Sequence, residues 1–357
     1  MAAVGRPCEG SGTFARFACL NARHSTTSPS ASSTTIPKGE HMKLVTFEVD
    51  GRREAGVLRG KAVYRLQACE WLLAAQGARN QVSARNLVSM ADLLAAGPES
   101  LKAVERAVRQ YEQLIRKPGA PIAYPLDQVK LCAPVQPRKL LCMAGNYAEH
   151  IREGGLKVRK KAAMMPRVFM KPPSTCVIGP GDPVRIAKTS NHVDYEAELG
   201  VVIGPPAKHV SAKRALDHVA GYTVVNDISE RDLKLPMARG KEPMDGWFRW
   251  LNGKWFDTFA PMGPCIVTTD EIRDPHRLRI TLKVNGRLRQ NANTGSMLYS
   301  IAEIIAWCSD ILTLEPGDVI ATGTPAGVGS STGTFLKRGD VVEAEIQGIG
   351  ALRSPIA

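Results

Sequence analysis

The chain has 357 residues, 44% of them apolar, enough to bury a large core in one to three domains. No apolar run approaches the roughly eighteen residues of a membrane span, and the eight cysteines form no Cys-x-x-Cys pair, which argues against a zinc knuckle or a disulfide framework and for a soluble protein of a reducing compartment. The formal charge of +13 is spread along the chain, and its densest cluster, Lys157-Val158-Arg159-Lys160-Lys161, lacks interleaved aromatics, so an anionic small molecule is a better partner than nucleic acid.

Residues 1–41 are rich in Ser, Thr and Ala, show no sustained periodicity and read as a disordered leader. Arg6, Arg16 and Arg23 fit a mitochondrial transit peptide, Glu9 counts against one, and Met42 is an alternative start, which leaves a cytoplasmic protein. From Met42 a small N-terminal α/β module is predicted over 42–135. It opens with a strand over Lys43 to Val49, a turn at Asp50-Gly51, and strands at Arg53 to Leu58 and Ala62 to Tyr64. A helix begins near Ser89, with Asp92 three residues on, and another carries Leu101, Val104, Val108, Tyr111 and Ile115 on one stripe.

A Pro-rich connection leads into a body over 136–357 dominated by strand signals, among them Leu140 to Met143, Val168 to Lys171, Glu196 to Ile203, Gly221 to Asp227, Cys265 to Thr268, Arg279 to Val284, Val319 to Thr322 and Val341 to Ile346. The clearest helix there is Ser300 to Leu312, where Ser300 and Glu303 make a capping box. With no internal repeat and no regular strand-helix alternation, the fold class predicted is a β-rich α+β.

Chemistry-bearing residues are concentrated in this body. His150 and Glu153 lie three apart, so on a helix they share a face, and a carboxylate that fixes an imidazole makes a general base. The following Gly154-Gly155 offers hinges for a lid. Glu196 and Glu198 alternate on one side of a strand at the edge of an apolar run, and Asp227 closes another. Either the pair is the polar face of an edge strand, or the three carboxylates converge on a hard cation such as Mg²⁺ or Mn²⁺. Lys254 stands among aromatic and small residues, where its charge could stabilise an oxyanion. The loop Gly323-Thr324-Pro325-Ala326-Gly327-Val328-Gly329 offers backbone N–H groups to an anion, a carboxylate rather than a phosphate because it lacks a Gly-Lys-Ser/Thr ending.

Over residues 138 to 350 the chain resembles the fumarylacetoacetate hydrolase family. The motifs are Gly145-x-Tyr147-x-x-His150-x-x-Glu153, Phe169-x-Lys171-Pro172, Asp194-Tyr195-Glu196-x-Glu198-Leu199, Gly221-Tyr222-x-x-x-Asn226-Asp227 with Arg231-Asp232, Gly253-Lys254-x-x-Asp257-Thr258, Pro261-x-Gly263-Pro264, and the run from Gly317 through Gly329. The resemblance implies a rolled mixed β-sheet, a homodimer, and Mg²⁺ or Mn²⁺ held by Glu196, Glu198 and Asp227, with Thr258 ordering the metal shell. It implies a water-activating His150–Glu153 dyad on a lid, Lys254 at the oxyanion, and Arg231, Lys234 and Thr324 around a small anionic 2-oxo or enol acid. Lys234 stands where members commonly carry Gln, and Trp255 where Ser is frequent, which points to a more anionic substrate in a narrower pocket. The activity so implied is hydrolysis of a carbon-carbon bond in an acylpyruvate-type compound through a metal-chelated enolate, as in aromatic-compound catabolism. Decarboxylation, enol-keto isomerisation and ureidoglycolate lysis are alternatives on the same scaffold. A nucleic-acid-binding protein or a non-catalytic metal-binding member stands as the alternative of a different class.

Overall fold

A computed structural model describes residues 42–75, 89–114, 122–188, 190–233, 242 and 244–357. The expectations for residues 1–41 and for Lys234 fall outside the described residues. Lys43–Val49 and Arg52–Arg59 pair antiparallel across Asp50-Gly51, whose φ angles of 49° and 71° suit the tight turn that matches strand twist. This hairpin does not stand apart from the rest of the chain. Lys43 and Leu44 pair with Val267 and Ile266 of the strand Ala260–Thr268, so the N-terminal strands extend the main sheet.

That sheet runs Ala123–Pro125, Ala62–Arg65, Arg52–Arg59, Lys43–Val49, Ala260–Thr268, Val219–Asn226, Ala197–Ile203, Val319–Ala321, Leu140–Met143 and Val168–Lys171. Neighbours along this path are antiparallel except Val319–Ala321 and Leu140–Met143, which makes the sheet mixed. Every residue of the two central strands, Ala197–Ile203 and Val219–Asn226, is buried, so both faces of the sheet are covered. Leu199, Val201 and Ile203 pack on one side with Ile280, Leu282, Val342 and Ala344 of a second, four-stranded sheet and with Ile304, Ile305 and Cys308 of the helix Ile301–Ile311. Val202 and Val225 pack on the other side with Leu44, Val57, Val104 and Val108. Each such side chain contributes about 1.5–3 kcal/mol by leaving water.

The helices follow their caps. Ser89 accepts the Asp92 N–H ahead of Met90–Ala95, and Ser300 and Glu303 form the predicted capping box of Ile301–Ile311. Pro98–Leu114 buries Leu101, Val104, Val108 and Tyr111, the predicted stripe as far as Leu114. The β-rich α+β architecture is as predicted. Elements absent from the sequence reading include the strands Arg287–Asn293 and Gly350–Pro355 and the helices Leu66–Ala75 and Asp245–Asn252. Among the described residues no helix is long and apolar enough to cross a membrane, and the described cysteines Cys69, Cys132, Cys142, Cys176, Cys265 and Cys308 are buried and free.

Candidate active site

The central strands end together, with Ala197 opposite Asn226. Glu196 and Asp227 lie one residue beyond the paired segment and stay joined, since Asp227 N–H donates to the Glu196 carbonyl at 2.9 Å. Glu198 has the strand parity of Val202, so the three carboxylates gather at one end of the sheet, with ligand oxygens all within 4.8 Å of one another. Their residues are 5%, 1% and 1% exposed for Glu196, Glu198 and Asp227, which rules out a solvated edge-strand face.

Three cations face this cluster. Lys254 Nζ donates to Glu196 Oε2 at 2.8 Å and to Asp227 Oδ2 at 2.6 Å. Lys171 Nζ donates to Asp227 Oδ1 at 2.6 Å and to the Ile228 carbonyl at 2.8 Å. Arg231 donates to Glu196 Oε1, and its Nε donates to Asp194 Oδ2 at 2.9 Å. Burial opposes ionisation of Glu196, but Lys254 and Arg231 pull its carboxyl down to about 2. Burial likewise disfavours the Lys254 ammonium, yet Asp227 and Glu196 overcome it and raise the group above its ordinary value. Glu198 is the exception. Burial, then Asp227 and Glu196, push its carboxyl well above the usual range, and its one hydrogen bond among the described residues is from Gly323 N–H at 2.7 Å. An all-oxygen donor set with one carboxylate short of positive charge fits a hard divalent cation.

The His150–Glu153 pair lies nearby. His150 and Glu153 sit on the short helix Ala148–Glu153, with His150 Nδ1 2.8 Å from Glu153 Oε1. An ionised carboxylate only accepts, so Nδ1 carries the proton there and Nε2 presents its lone pair. Gly327 N–H donates to Glu153 Oε2 at 2.8 Å, which fixes the second carboxylate oxygen. Gly323 and Gly327 of one loop hold Glu198 and Glu153, so the dyad and the carboxylate cluster share one site.

The glycine loop turns out to hold carboxylates, and they are the chain's own. Gly323 serves Glu198 and Gly327 serves Glu153. Gly327, at φ 105°, leaves no room for a side chain, since a Cβ there would lie 2.2 Å from the Arg289 carbonyl. Thr324 uses its hydroxyl internally, donating to the Ala197 carbonyl at 3.0 Å and accepting from Gln290 Nε2 at 2.8 Å. Thr258 has φ 68°, accepts the Arg185 N–H at 2.8 Å and donates its own N–H to the Thr175 carbonyl at 2.9 Å, and among the described residues neither bond reaches the carboxylate cluster. Trp255 donates its indole N–H to the Met170 carbonyl at 2.9 Å and stays partly exposed.

Sequence reasoning gave no role to Lys171, Asp194 or Gln290, although all three are fully buried. Lys171 closes the apolar strand Val168–Lys171, the same signal that had marked Asp227. Asp194 accepts from Tyr195 N–H, Gly329 N–H, Ser330 N–H and Arg231 Nε. Asp194→Ala would leave the Arg231 Nε–H and three amides without their acceptor, although Arg231 keeps Glu196, so a loss of about 3–5 kcal/mol is expected on chemical denaturation. A change below about 1 kcal/mol would show that Asp194 does not hold this corner together.

Residues 139–357 match the family model described as fumarylacetoacetate (FAA) hydrolase C-terminal. The mitochondrial oxaloacetate tautomerase of Xenopus laevis is 41% identical over 270 residues, which is 75% of this chain and 78% of that protein. A human mitochondrial oxaloacetate tautomerase is 43% identical over 231 residues, 64% of this chain and 69% of its own. Among solved structures, the fumarylacetoacetate hydrolase of Exiguobacterium antarcticum superposes with a TM-score of 0.66 at 32% identity, covering 88% of this chain and 99% of that one. The 2-hydroxyhepta-2,4-diene-1,7-dioate isomerase of Mycobacterium marinum gives 0.61 at 28% identity, covering 88% and 98%. Since the family match spans the strands, the carboxylate cluster and the glycine loop together, the chain belongs to the fumarylacetoacetate hydrolase family of enzymes.

Proposed function

We propose that this protein is a Mg²⁺- or Mn²⁺-dependent enol-keto tautomerase of a small 2-oxo diacid of the oxaloacetate type. The observation that carries the reading is the single His150–Glu153 pair held beside a buried three-carboxylate cluster, and similarity to oxaloacetate tautomerases supports it. Glu196, Glu198 and Asp227 would hold the metal, which supplies Lewis-acid charge to a carboxylate and an adjacent 2-oxo oxygen. His150 Nε2 takes a proton from the carbon next to the 2-oxo group, and the C–H electron pair becomes the C=C bond of the enol. The proton is then delivered to oxygen, so the net change is a proton moved from carbon to oxygen. Glu153 orients the ring and balances the imidazolium, while the Lys254 ammonium offsets negative charge developing at the oxygen. Arg231, Lys234 and the backbone of the Thr324 loop would meet the distal carboxylate, with Thr258 acting on the metal shell only at longer range.

Hydrolysis of an acylpyruvate carbon-carbon bond is the second reading, favoured by the same dyad, which is equally placed to deprotonate water. In this reading residues 136–357 carry the chemistry and 42–135 brace the sheet. The exposed Trp247, Phe248 and Trp255 support a homodimer, and the relatives' names support a mitochondrial location over a cytoplasmic one. The test is to assay oxaloacetate tautomerisation and acylpyruvate cleavage side by side, with and without chelator. Tautomerisation is expected to dominate, to vanish on chelation and to return with Mg²⁺ or Mn²⁺, and turnover indifferent to chelator would contradict the proposal.

A further inference from the structure

Gln290 lies on the strand Arg287–Asn293 and is 0% exposed, an unusual place for a carboxamide unless its hydrogen bonds are met. They are. Its Oε1 accepts the Ala197 N–H at 2.9 Å, and its Nε2 donates to Thr324 Oγ1 at 2.8 Å and to the Pro325 carbonyl at 2.8 Å, which uses both amide hydrogens. Thr324 Oγ1 closes the ring by donating to the Ala197 carbonyl.

The reason lies in the sheet. The ladder between Ala197–Ile203 and Val319–Ala321 runs from Gly200 to Val202, Thr322 N–H adds one more bond to the Leu199 carbonyl at 3.0 Å, and beyond Leu199 no backbone bond joins the two segments. Ala197 is therefore left with an N–H and a carbonyl and no ladder partner on that side, and Gln290 and Thr324 take both. Ala197 stands between Glu196 and Glu198. On the other arm of the clamp, Thr324 and Pro325 stand between Gly323, which holds Glu198, and Gly327, which holds Glu153. The Arg289 carbonyl, next to Gln290, is the surface on which Gly327 rests.

We infer that Gln290 is a positioning residue that sets the spacing between the carboxylate cluster and the His150–Glu153 pair. The inference rests on the roles given to those groups above. One carboxamide ties together the chain segments that carry the two halves of the chemistry, and a displacement of about 1 Å between reacting groups can cost on the order of 100-fold in rate. Removing a group that orients metal ligands typically lowers affinity or activity about 10–100-fold.

Gln290→Met keeps the volume and loses all three hydrogen bonds, whereas Gln290→Glu keeps the acceptor for Ala197 and loses the two donors. Both are measured for Mn²⁺ affinity by paramagnetic resonance and for kcat and KM of oxaloacetate tautomerisation at saturating Mn²⁺. The expected result in the variants that fold is an Mn²⁺ Kd raised about 10-fold and a kcat lowered about 10–100-fold, with KM within about 3-fold of wild type. A kcat equal to wild type at saturating Mn²⁺, in either folded variant, overturns the inference and leaves Gln290 a core residue only. If the wild-type protein itself shows no tautomerisation, the functional reading has failed. The Mn²⁺ affinities then decide the inference alone, with an unchanged Kd overturning it and a raised Kd upholding it.

Discussion

Glu198→Gln is expected to lower kcat/KM by about 10³-fold or more, equivalent to roughly 4 kcal/mol of transition-state stabilisation, while the fold persists. The substitution preserves shape, and the amide oxygen still accepts the Gly323 N–H that now holds Glu198. What disappears is the one carboxylate of the three that, among the described residues, has no side-chain cation paired with it. Glu196 keeps Lys254 and Arg231, and Asp227 keeps Lys171 and Lys254. In the metal-free protein Glu198 is the carboxyl that burial and its two acidic neighbours hold above its ordinary range. Neutralising it therefore relieves repulsion, and the thermal midpoint of the metal-free variant is expected to be no lower than that of wild type. Calorimetric titration with Mn²⁺ and a steady-state assay check the two halves. Full activity in the variant, or a large loss of thermal stability, would remove Glu198 from the metal-holding role.

His150→Ala is expected to lower kcat by about 10²–10⁴-fold, the usual worth of a positioned acid-base group. Its side chain is about one-fifth exposed and lies on a short helix with no fully buried residue. Glu153 remains fixed by the Gly327 N–H, so the carboxylate stays in place while the proton acceptor is gone. Mn²⁺ affinity is expected to change by less than about 3-fold, because the His150 ring is hydrogen-bonded to Glu153 and not to the three carboxylates. The split between an intact metal site and a collapsed kcat marks a proton-transfer residue. Wild-type kcat in His150→Ala, or an equally collapsed metal affinity, would place its role elsewhere.

The sequence was legible where apolar runs are interrupted by charge. Glu196 and Glu198 before Val201-Val202-Ile203, and Asp227 after Tyr222 to Asn226, stood out because strand alternation forces such carboxylates inward. Capping chemistry made Ser300 and Ser89 readable, and the Asp50-Gly51 turn fixed its hairpin. The strand Arg287–Asn293 was not read, because Arg-Leu-Arg-Gln-Asn-Ala-Asn has no apolar alternation and half-exposes Leu288. Its one local sign was Asn285-Gly286, whose φ angles of 50° and 76° make the tight turn back from Val284. Missing that strand meant missing Gln290. The glycine loop was read as an anion site from its free amides, but nothing local to it could say that the anions would be Glu198 and Glu153, brought from 125 and 174 residues away. Nor could local reading show Thr324 engaged with Ala197, since that contact exists only where two strands part.

On the proposed function, Glu196, Glu198 and Asp227 jointly hold one divalent cation beside His150. Anomalous diffraction from Mn²⁺-soaked crystals tests it most directly. A single strong peak coordinated by all three carboxylates is the expected result. Mn²⁺ found elsewhere in the chain, with Lys254 still bridging Glu196 and Asp227, would remove the three carboxylates from metal binding.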